Sequence, residues 1–319
     1  MQSFLDPAIL FFVFGMVAGL LKSNLEIPAP ISRFLSLYLL MALGLKGGFA
    51  LADSGLTSEV AVSLGAALLL ATVVPLMGYA LLRRFLNGYD AAAIAATYGS
   101  VSAVTFITAV QYLDTHSIEY GGHMAAAMAL MESPAIILAV VLANVVRRHE
   151  GSASTSPSMG KILHESVTDG AQLLLLGAML IGLLTGAAGE AVMKPFSVDL
   201  FKGMLAFFLL DMGLLAARNL GSLRGKSAWL LAYAVLGPLV HAGMAFGLGW
   251  VLGLSSGNVA LLMVLAASAS YIAVPAVIRH AIPEANPSLY FSMSLGLTFP
   301  FNILIGIPLY VSIAQKLGT

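Results

Sequence analysis

The chain has 319 residues, of which 59% are hydrophobic and only 9% are charged, and its formal net charge at neutral pH is zero. Soluble domains carry about 25% charged residues, so this composition excludes an ordinary water-soluble globule. The balanced charge argues against nucleic acid as a partner. Without cysteine, the chain has no disulfides and no thiol chemistry.

Long charge-free runs predict membrane-spanning helices. Ser227 to Ile278 is one run without Asp, Glu, Lys or Arg, and a helix needs about 20 apolar residues to cross the hydrocarbon core. We interpret the first apolar segment as a span rather than a signal peptide, because no basic region precedes it. The prediction is an all-α membrane protein with ten transmembrane helices, near 7–21, 30–51, 59–82, 91–113, 120–146, 169–188, 199–217, 227–253, 258–280 and 288–315.

The distribution of lysine and arginine predicts the orientation, because cytoplasmic loops carry an excess of these residues. Eleven fall in the connections that follow odd-numbered spans, three fall on the other side, and Lys46 lies within a span. We therefore expect a protein of the bacterial inner (plasma) membrane with both termini outside. The polar linker at 148–167 is expected in the cytoplasm.

The two halves of the chain resemble each other. Five matches occur in the same order at offsets of 162 to 169 residues: 14–21 with 176–184, 39–45 with 208–214, Pro75 with Pro238, 100–102 with 268–270, and Pro134 with Pro300. They predict a first five-helix repeat at 1–147 and a second at 168–319. Because five spans is an odd number, the second repeat is inverted in the membrane, as in many secondary transporters. A duplicated scaffold or enzyme remains the alternative.

Spans 4 and 9 are the predicted broken helices. Inverted-repeat transporters hold their substrate near the midplane, where two interrupted helices cross and their half-helix N-termini face a cavity. Such N-termini suit an anion. The candidate substrate- and ion-binding residues are Gly99, Ser100, Ser102 and Thr105 in span 4, and Ser268, Ser270, Tyr271 and Pro275 in span 9.

Within these spans, Pro275 lacks an N–H and biases Val274 toward extended geometry, so we expect it to be the first residue of a second half-helix. The hydroxyls of Ser102 and Ser270 are possible sodium ligands. The alternative is that small residues and serines only pack helices together. In span 10, we expect Thr298 and Asn302 to line the same cavity.

Three ionisable residues lie within predicted spans, where burying a charge is costly. Glu132 lies in the middle of span 5 and is the preferred candidate for coupling to a cation. Lys46 in span 2 and Asp211 in span 7 are further coupling candidates, and a structural ion pair between these two is an equal alternative.

Three motifs resemble the cyanobacterial-type sodium-dependent bicarbonate transporter family. They are LAASASYI at 265–272, RHAIPEANPSLY at 279–290 and GLKGG at 44–48. The resemblance implies ten helices in a core and a gate domain, a homotrimer, and sodium-coupled uptake of bicarbonate, with sodium as coupling ion and no other cofactor. It also implies a cytoplasmic PII-like regulator.

Carried over residue by residue, Ser268, Ser270 and Pro275 match one crossing motif, and Ser102 and Thr105 match the other. This sequence departs from the family pattern at the same place. Tyr271 and Glu132 stand where the family has Asp, and 103–104 and 273–274 replace its Gly-Ser and Ser-Gly pairs.

Other functions remain open. Proton-coupled transport of another small anion would use Glu132 in place of sodium, and a non-transporting membrane sensor or scaffold is a third possibility. An intramembrane hydrolase is disfavoured, since the sequence has no His-Glu-x-x-His zinc motif.

Overall fold

The computed structural model describes residues 6–55, 57–149, 170–223 and 226–316. The predicted linker at 148–167 lies almost entirely outside these ranges. The helices are α1 Pro7–Leu20, α2 Ala29–Ser54, α3 Ser58–Leu82, α4 Gly88–Gly99, α5 Ala103–Thr115, α6 Met124–His149, α7 Gly170–Lys194, α8 Phe201–Leu220, α9 Ala228–Val251, α10 Ser256–Ala267, α11 Ala273–Ala281 and α12 Pro287–Gln315. The last contains two π-helical turns, Ser294–Thr298 and Asn302–Gly306.

Seven segments are long and apolar enough to cross a membrane, and α1 and α10 are shorter apolar helices. The prediction of an all-α membrane protein is therefore confirmed for the described residues. Each predicted span overlaps one helix or two consecutive helices, and the ends agree within four residues at all but one position. The exception is α7, which continues past residue 188 because Gly186, at φ 51°, bends the segment and further helical turns follow.

The first two helices of each half pack crosswise. α1 lies along α8, and α2 lies along α7. A Cβ atom at Gly44 of α2 would overlap the backbone carbonyl of Leu175 in α7, and one at Gly213 of α8 would overlap that of Phe12 in α1. Backbones approach this closely in membranes only where small residues lie between them.

The remaining helices surround α4 and α10. α3 packs on α4 and α6, while α10 packs on α9 and α12. Nearly every residue of α4 and α10 is buried. This explains why both sequences, apart from Asp90 and Asn258 near their N-termini, are largely small or apolar on all faces, since a helix that is apolar all round belongs in a core.

Two interruptions follow these buried helices. α4 ends at Gly99 and α5 begins at Ala103, while α10 ends at Ala267 and α11 begins at Ala273. The backbone is extended at Ser100 and Ser268, with ψ of −177° and 163°.

The prediction for Pro275 was wrong in detail. It is the third residue of α11 rather than the first, and Val274 is helical. The first four N–H groups of any helix lack an intrahelical partner, so a residue without an N–H is tolerated at the third position too. The second interruption therefore ends at Ala273 instead of at Pro275.

Candidate functional site

The two interruptions contact each other directly. The backbone N–H of Ser102 donates to the hydroxyl of Ser268 at 3.0 Å. The N–H of Ser270 donates to the carbonyl of Thr97 at 2.8 Å. Thr97 belongs to the last turn of α4, whose carbonyls have no partner within the helix. Each interrupted segment thus satisfies a backbone group of the other.

The serine hydroxyls at the interruptions cap the helices that follow. The Ser102 oxygen accepts from the Thr105 N–H at 3.2 Å and from the Thr105 hydroxyl at 3.0 Å. The Ser270 oxygen accepts from the Val274 N–H at 3.3 Å. A hydroxyl oxygen has two acceptor positions, so in this conformation both positions of Ser102 are occupied. Sodium coordination by Ser102 requires these bonds to rearrange.

Thr298 and Asn302 of α12 have a different role from the one expected. Asn302 donates through its amide to the carbonyl of Ala267, the last residue of α10, at 2.8 Å. Thr298 donates to the carbonyl of Ala234 at 2.7 Å. That carbonyl lacks its helical partner because the residue four positions on, Pro238, has no N–H. Both side chains satisfy orphan carbonyls and are not among the residues that line the cavity described next.

A cavity of about 80 Å³ lies beside the two interruptions. The first residues of α5 and α11 line it, together with side chains of α2, α6 and α7. Of the predicted site residues, it brings together Ser102, Ser270, Tyr271 and Glu132. Within the described ranges, the others do not line it: Gly99, Ser100, Thr105, Ser268, Pro275, Lys46 and Asp211.

The cavity combines two kinds of electrostatic group. The N-termini of α5 and α11 each carry a partial positive charge from the helix dipole. Glu132 of α6 places a carboxylate in the same cavity, and the amide of Gln172 in α7 donates to it at 2.5 Å. Gln172 was missed by the sequence reasoning. The sequence feature that could have indicated Gln172 is that it is the one amide side chain in an otherwise apolar span, which packs beside the span that carries Glu132.

A family model described as the Na+-dependent bicarbonate transporter superfamily matches residues 7–315, which include both interruptions and every residue that lines the cavity. The chain belongs to this superfamily. No curated protein gives a significant match. The superfamily is one of transporters, which agrees with the apolar helices of this chain.

Tyr271 is one of the positions where this bicarbonate-transporter superfamily member departs from the motif described above. Its buried ring packs edge-on against Phe299, with the ring centroids 5.1 Å apart. Its hydroxyl contacts the sulfur of Met212 at 3.6 Å and interacts with the hydroxyl of Ser102. The ring fills space that a shorter side chain would leave open. Among the described lining residues, Glu132 is then the one carboxylate.

Lys46 is paired with a different carboxylate from the one considered. Its ammonium lies 2.8 Å from a carboxylate oxygen of Asp114, at the end of α5. It also lies 4.9 Å from the centre of the Phe201 ring. Asp211 interacts instead with Ser32 and Arg218. The hypothesis of a Lys46–Asp211 pair is wrong, because the partner of Lys46 is Asp114 in α5 and the partners of Asp211 are Ser32 and Arg218.

The Lys46–Asp114 pair lies at a second, larger cavity of about 480 Å³, which Lys46, Tyr120, Asp53 and Glu190 line. The Tyr120 hydroxyl donates to the other oxygen of Asp114 at 3.0 Å. Burial raises the pKa of Tyr120, and the adjacent Asp114 carboxylate raises it further. Tyr120 therefore stays protonated as a hydrogen-bond donor, which fixes Asp114 between two donors.

Gly99 positions the end of α4 rather than contacting the cavity. A Cβ atom there would lie 2.6–2.7 Å from the ring atoms of Pro75 in α3. Pro75 of α3 and the last residue of α4 are thus in close contact. The neighbouring Ser100 is buried, and its hydroxyl has no hydrogen-bond partner within the part of the chain that the structure describes.

Proposed function

We propose that this protein is a secondary active transporter that takes up a small inorganic anion, bicarbonate as the superfamily description suggests, together with sodium. The observation that carries the proposal is that the N-termini of α5 and α11 line one small cavity with the carboxylate of Glu132. Two helix N-termini favour an anion, and a carboxylate favours a cation. A site that suits both charges at once suits symport.

The proposed architecture is a pair of inverted repeats, at 1–147 and 168–319, related by a pseudo-twofold axis in the membrane plane. Such an axis exchanges α1 with α7 and α2 with α8, so that the α1–α8 contact maps onto the α7–α2 contact. Both contacts are present, and Gly44 and Gly213 have equivalent roles in them. The interrupted segments α4–α5 and α10–α11 would then cross at the midplane.

The proposed orientation has both termini outside the inner membrane and the linker in the cytoplasm. Its support is the excess of lysine and arginine in the connections that follow odd-numbered spans.

Coupling follows from electrostatics in the cavity. An anion that enters it meets the negative charge of Glu132, and like charges at short range repel. Binding becomes favourable when a cation neutralises the carboxylate. Sodium would be held by the oxygens of Glu132 and Ser270 and by carbonyls of the interrupted backbone, as in other inverted-repeat transporters.

Proton-coupled transport of a small anion is the second candidate. The observation that favours it is the scarcity of oxygen ligands for sodium. Both acceptor positions of Ser102 are occupied, and Tyr271 supplies a phenol in place of a carboxylate. A proton on Glu132 would remove the same negative charge without needing further ligands.

Uptake of labelled bicarbonate into proteoliposomes tests both candidates. A sodium gradient is imposed at equal pH, a pH gradient is then imposed without sodium, and protein-free liposomes correct for diffusion of carbon dioxide. Uptake driven by the sodium gradient supports the proposal, and uptake driven by the pH gradient alone supports the second candidate. Uptake driven by neither contradicts both couplings for bicarbonate, and it favours transport of a different anion or a non-transporting sensor or scaffold.

The site itself is tested with Ser102→Ala combined with Ser270→Ala. The double variant removes one hydroxyl from each interruption, and we expect it to lose most uptake at equal membrane abundance. Ser63→Ala is a matched control, because Ser63 is a buried serine of α3 whose hydroxyl has no partner in the described part of the chain. Wild-type kinetics in the double variant would place the transport site elsewhere.

The resemblance also supports a homotrimer and a cytoplasmic PII-like regulator. The mass of the purified protein in native mass spectrometry tests the first. Co-purification with a PII-like protein from the same cells tests the second.

A further inference from the structure

An apolar groove of about 430 Å³ runs between α3 and α9, outside the cavities described above. Leu236 and Val240 of α9 and Met77 and Leu81 of α3 line it, and all four are exposed. Pro75 and Pro238 interrupt the hydrogen bonding of these two helices beside the groove. The surface is therefore a concave, lipid-compatible face of the helix pair.

One end of the groove is aromatic, and basic residues lie next to it in the chain. The rings of Phe85 and Trp229 stack there, with centroids 5.4 Å apart, where α3 ends and α9 begins. Arg83 and Arg84 directly follow α3, and Lys226 lies two residues before α9. Tryptophan and basic residues in this arrangement are typical of the membrane–water interface. Basic residues between transmembrane helices also bind anionic lipid headgroups.

Two polar atoms lie at the floor of the groove without hydrogen-bond partners in the described part of the chain. They are the hydroxyl of Tyr233, which is 8% exposed, and Nδ1 of His241, which is 4% exposed. Gly78 leaves room for the hydroxyl, because a Cβ atom there would lie 2.7 Å from it. A buried polar group without a partner costs free energy, and the Tyr233 hydroxyl, as a donor, is satisfied by an acceptor oxygen of a ligand.

The dimensions match one leaflet of a bilayer. Trp229 and His241 are 12 residues apart on α9, or about 18 Å along a helix. Half of the hydrocarbon core is about 15 Å thick. We propose that the groove binds one anionic phospholipid. Its phosphate lies at Arg83 and Arg84, an ester oxygen accepts from Tyr233, and an acyl chain follows α3 and α9.

Native mass spectrometry of the full-length protein in detergent tests this site. The protein is titrated with phosphatidylglycerol or with phosphatidylcholine of the same chain length, and bound lipids are counted. We expect tighter binding of phosphatidylglycerol. Arg83→Gln combined with Arg84→Gln should weaken that binding on the order of 30-fold and leave phosphatidylcholine unchanged. Equal affinities of the wild type for the two lipids would overturn the proposal.

Two matched variants separate the site from general charge and folding effects. Lys22→Gln combined with Arg33→Gln removes the same charge from other connections and should leave lipid binding unchanged. Ala232→Trp fills the groove and should remove the bound lipid, and all variants are compared as monodisperse species on size exclusion. A double arginine variant that binds lipid like the lysine–arginine control would overturn the proposal.

A second copy of the chain is the other conceivable occupant. Because the chain contains no cysteine, Leu236→Cys introduces a single thiol at the groove. Oxidative cross-linking of two copies through this thiol would show that protein covers the groove and would overturn the lipid site. Absence of cross-linking, with lipid binding as described, supports it.

Discussion

Replacing Glu132 by Gln isolates the charge on which the proposed coupling depends. The side chain keeps its size and still accepts a hydrogen bond from Gln172, but the cavity loses its carboxylate. A sphere of about 80 Å³ has a diameter of about 5 Å, so a bound anion lies within about 5 Å of the carboxylate. At that distance and an effective dielectric constant of about 20, two like charges repel by about 3 kcal/mol. This corresponds to roughly a hundredfold in affinity.

We therefore expect Glu132→Gln to bind bicarbonate roughly a hundredfold more tightly than the wild type when sodium is absent. Uptake by the variant should no longer respond to a sodium or a pH gradient. Isothermal titration at fixed pH measures the affinity, and proteoliposome uptake measures the coupling. Glu26→Gln, which removes an exposed carboxylate from the connection before α2, is the control. Sodium-dependent uptake that persists in Glu132→Gln would refute the electrostatic reasoning.

Two further predictions concern stability. Gly99→Ala forces a Cβ atom against the rigid ring of Pro75, so we expect it to lower the free energy of unfolding by about 1–3 kcal/mol. Gly203→Ala is the control, because a Cβ atom there meets nothing and stability should not change. Equal melting temperatures of the two variants would contradict the close contact at Gly99. The bidentate pairing of buried Arg147 with Glu284, at 2.8 and 2.6 Å, lowers the pKa of Glu284. The contribution of this ion pair to stability is complete above the pKa of Glu in the unfolded chain, about 4.3. It is lost as the pH falls through the lower pKa that Glu284 has in the folded protein. Melting curves from pH 3 to 7 should show this loss of stability, and the pH dependence should be absent in Glu284→Gln.

The helices could be predicted from the sequence because the membrane imposes one strong requirement, a run of about 20 apolar residues. Breaks in those runs then located the ends of the helices. The end of α7 was missed because Gly186 bends the chain without ending the helical segment. The interruption after Ala267 was placed too late, since Pro275 is a strong signal but is compatible with the first turn of a helix.

The candidate site was predicted in part. Ser102, Ser270, Tyr271 and Glu132 line the cavity, because polar residues in apolar spans have few reasons to be there other than a polar environment. Their hydrogen bonds could not be predicted. Capping by Ser102 depends on the exact start of α5, which sequence patterns leave uncertain by several residues.

Contacts between spans that are distant in the sequence could not be predicted either. The pairing of Lys46 with Asp114 and the roles of Thr298 and Asn302 depend on how the helices are arranged in space. Single-span periodicity contains no information about that arrangement.

A structure determined in lipid nanodiscs, with saturating bicarbonate and sodium and again without either, tests the central claim most directly. The account predicts density for an anion between the N-termini of α5 and α11, beside Glu132, that disappears when bicarbonate is left out. An anion bound elsewhere in the protein, with this cavity empty in a preparation that transports bicarbonate, would contradict it.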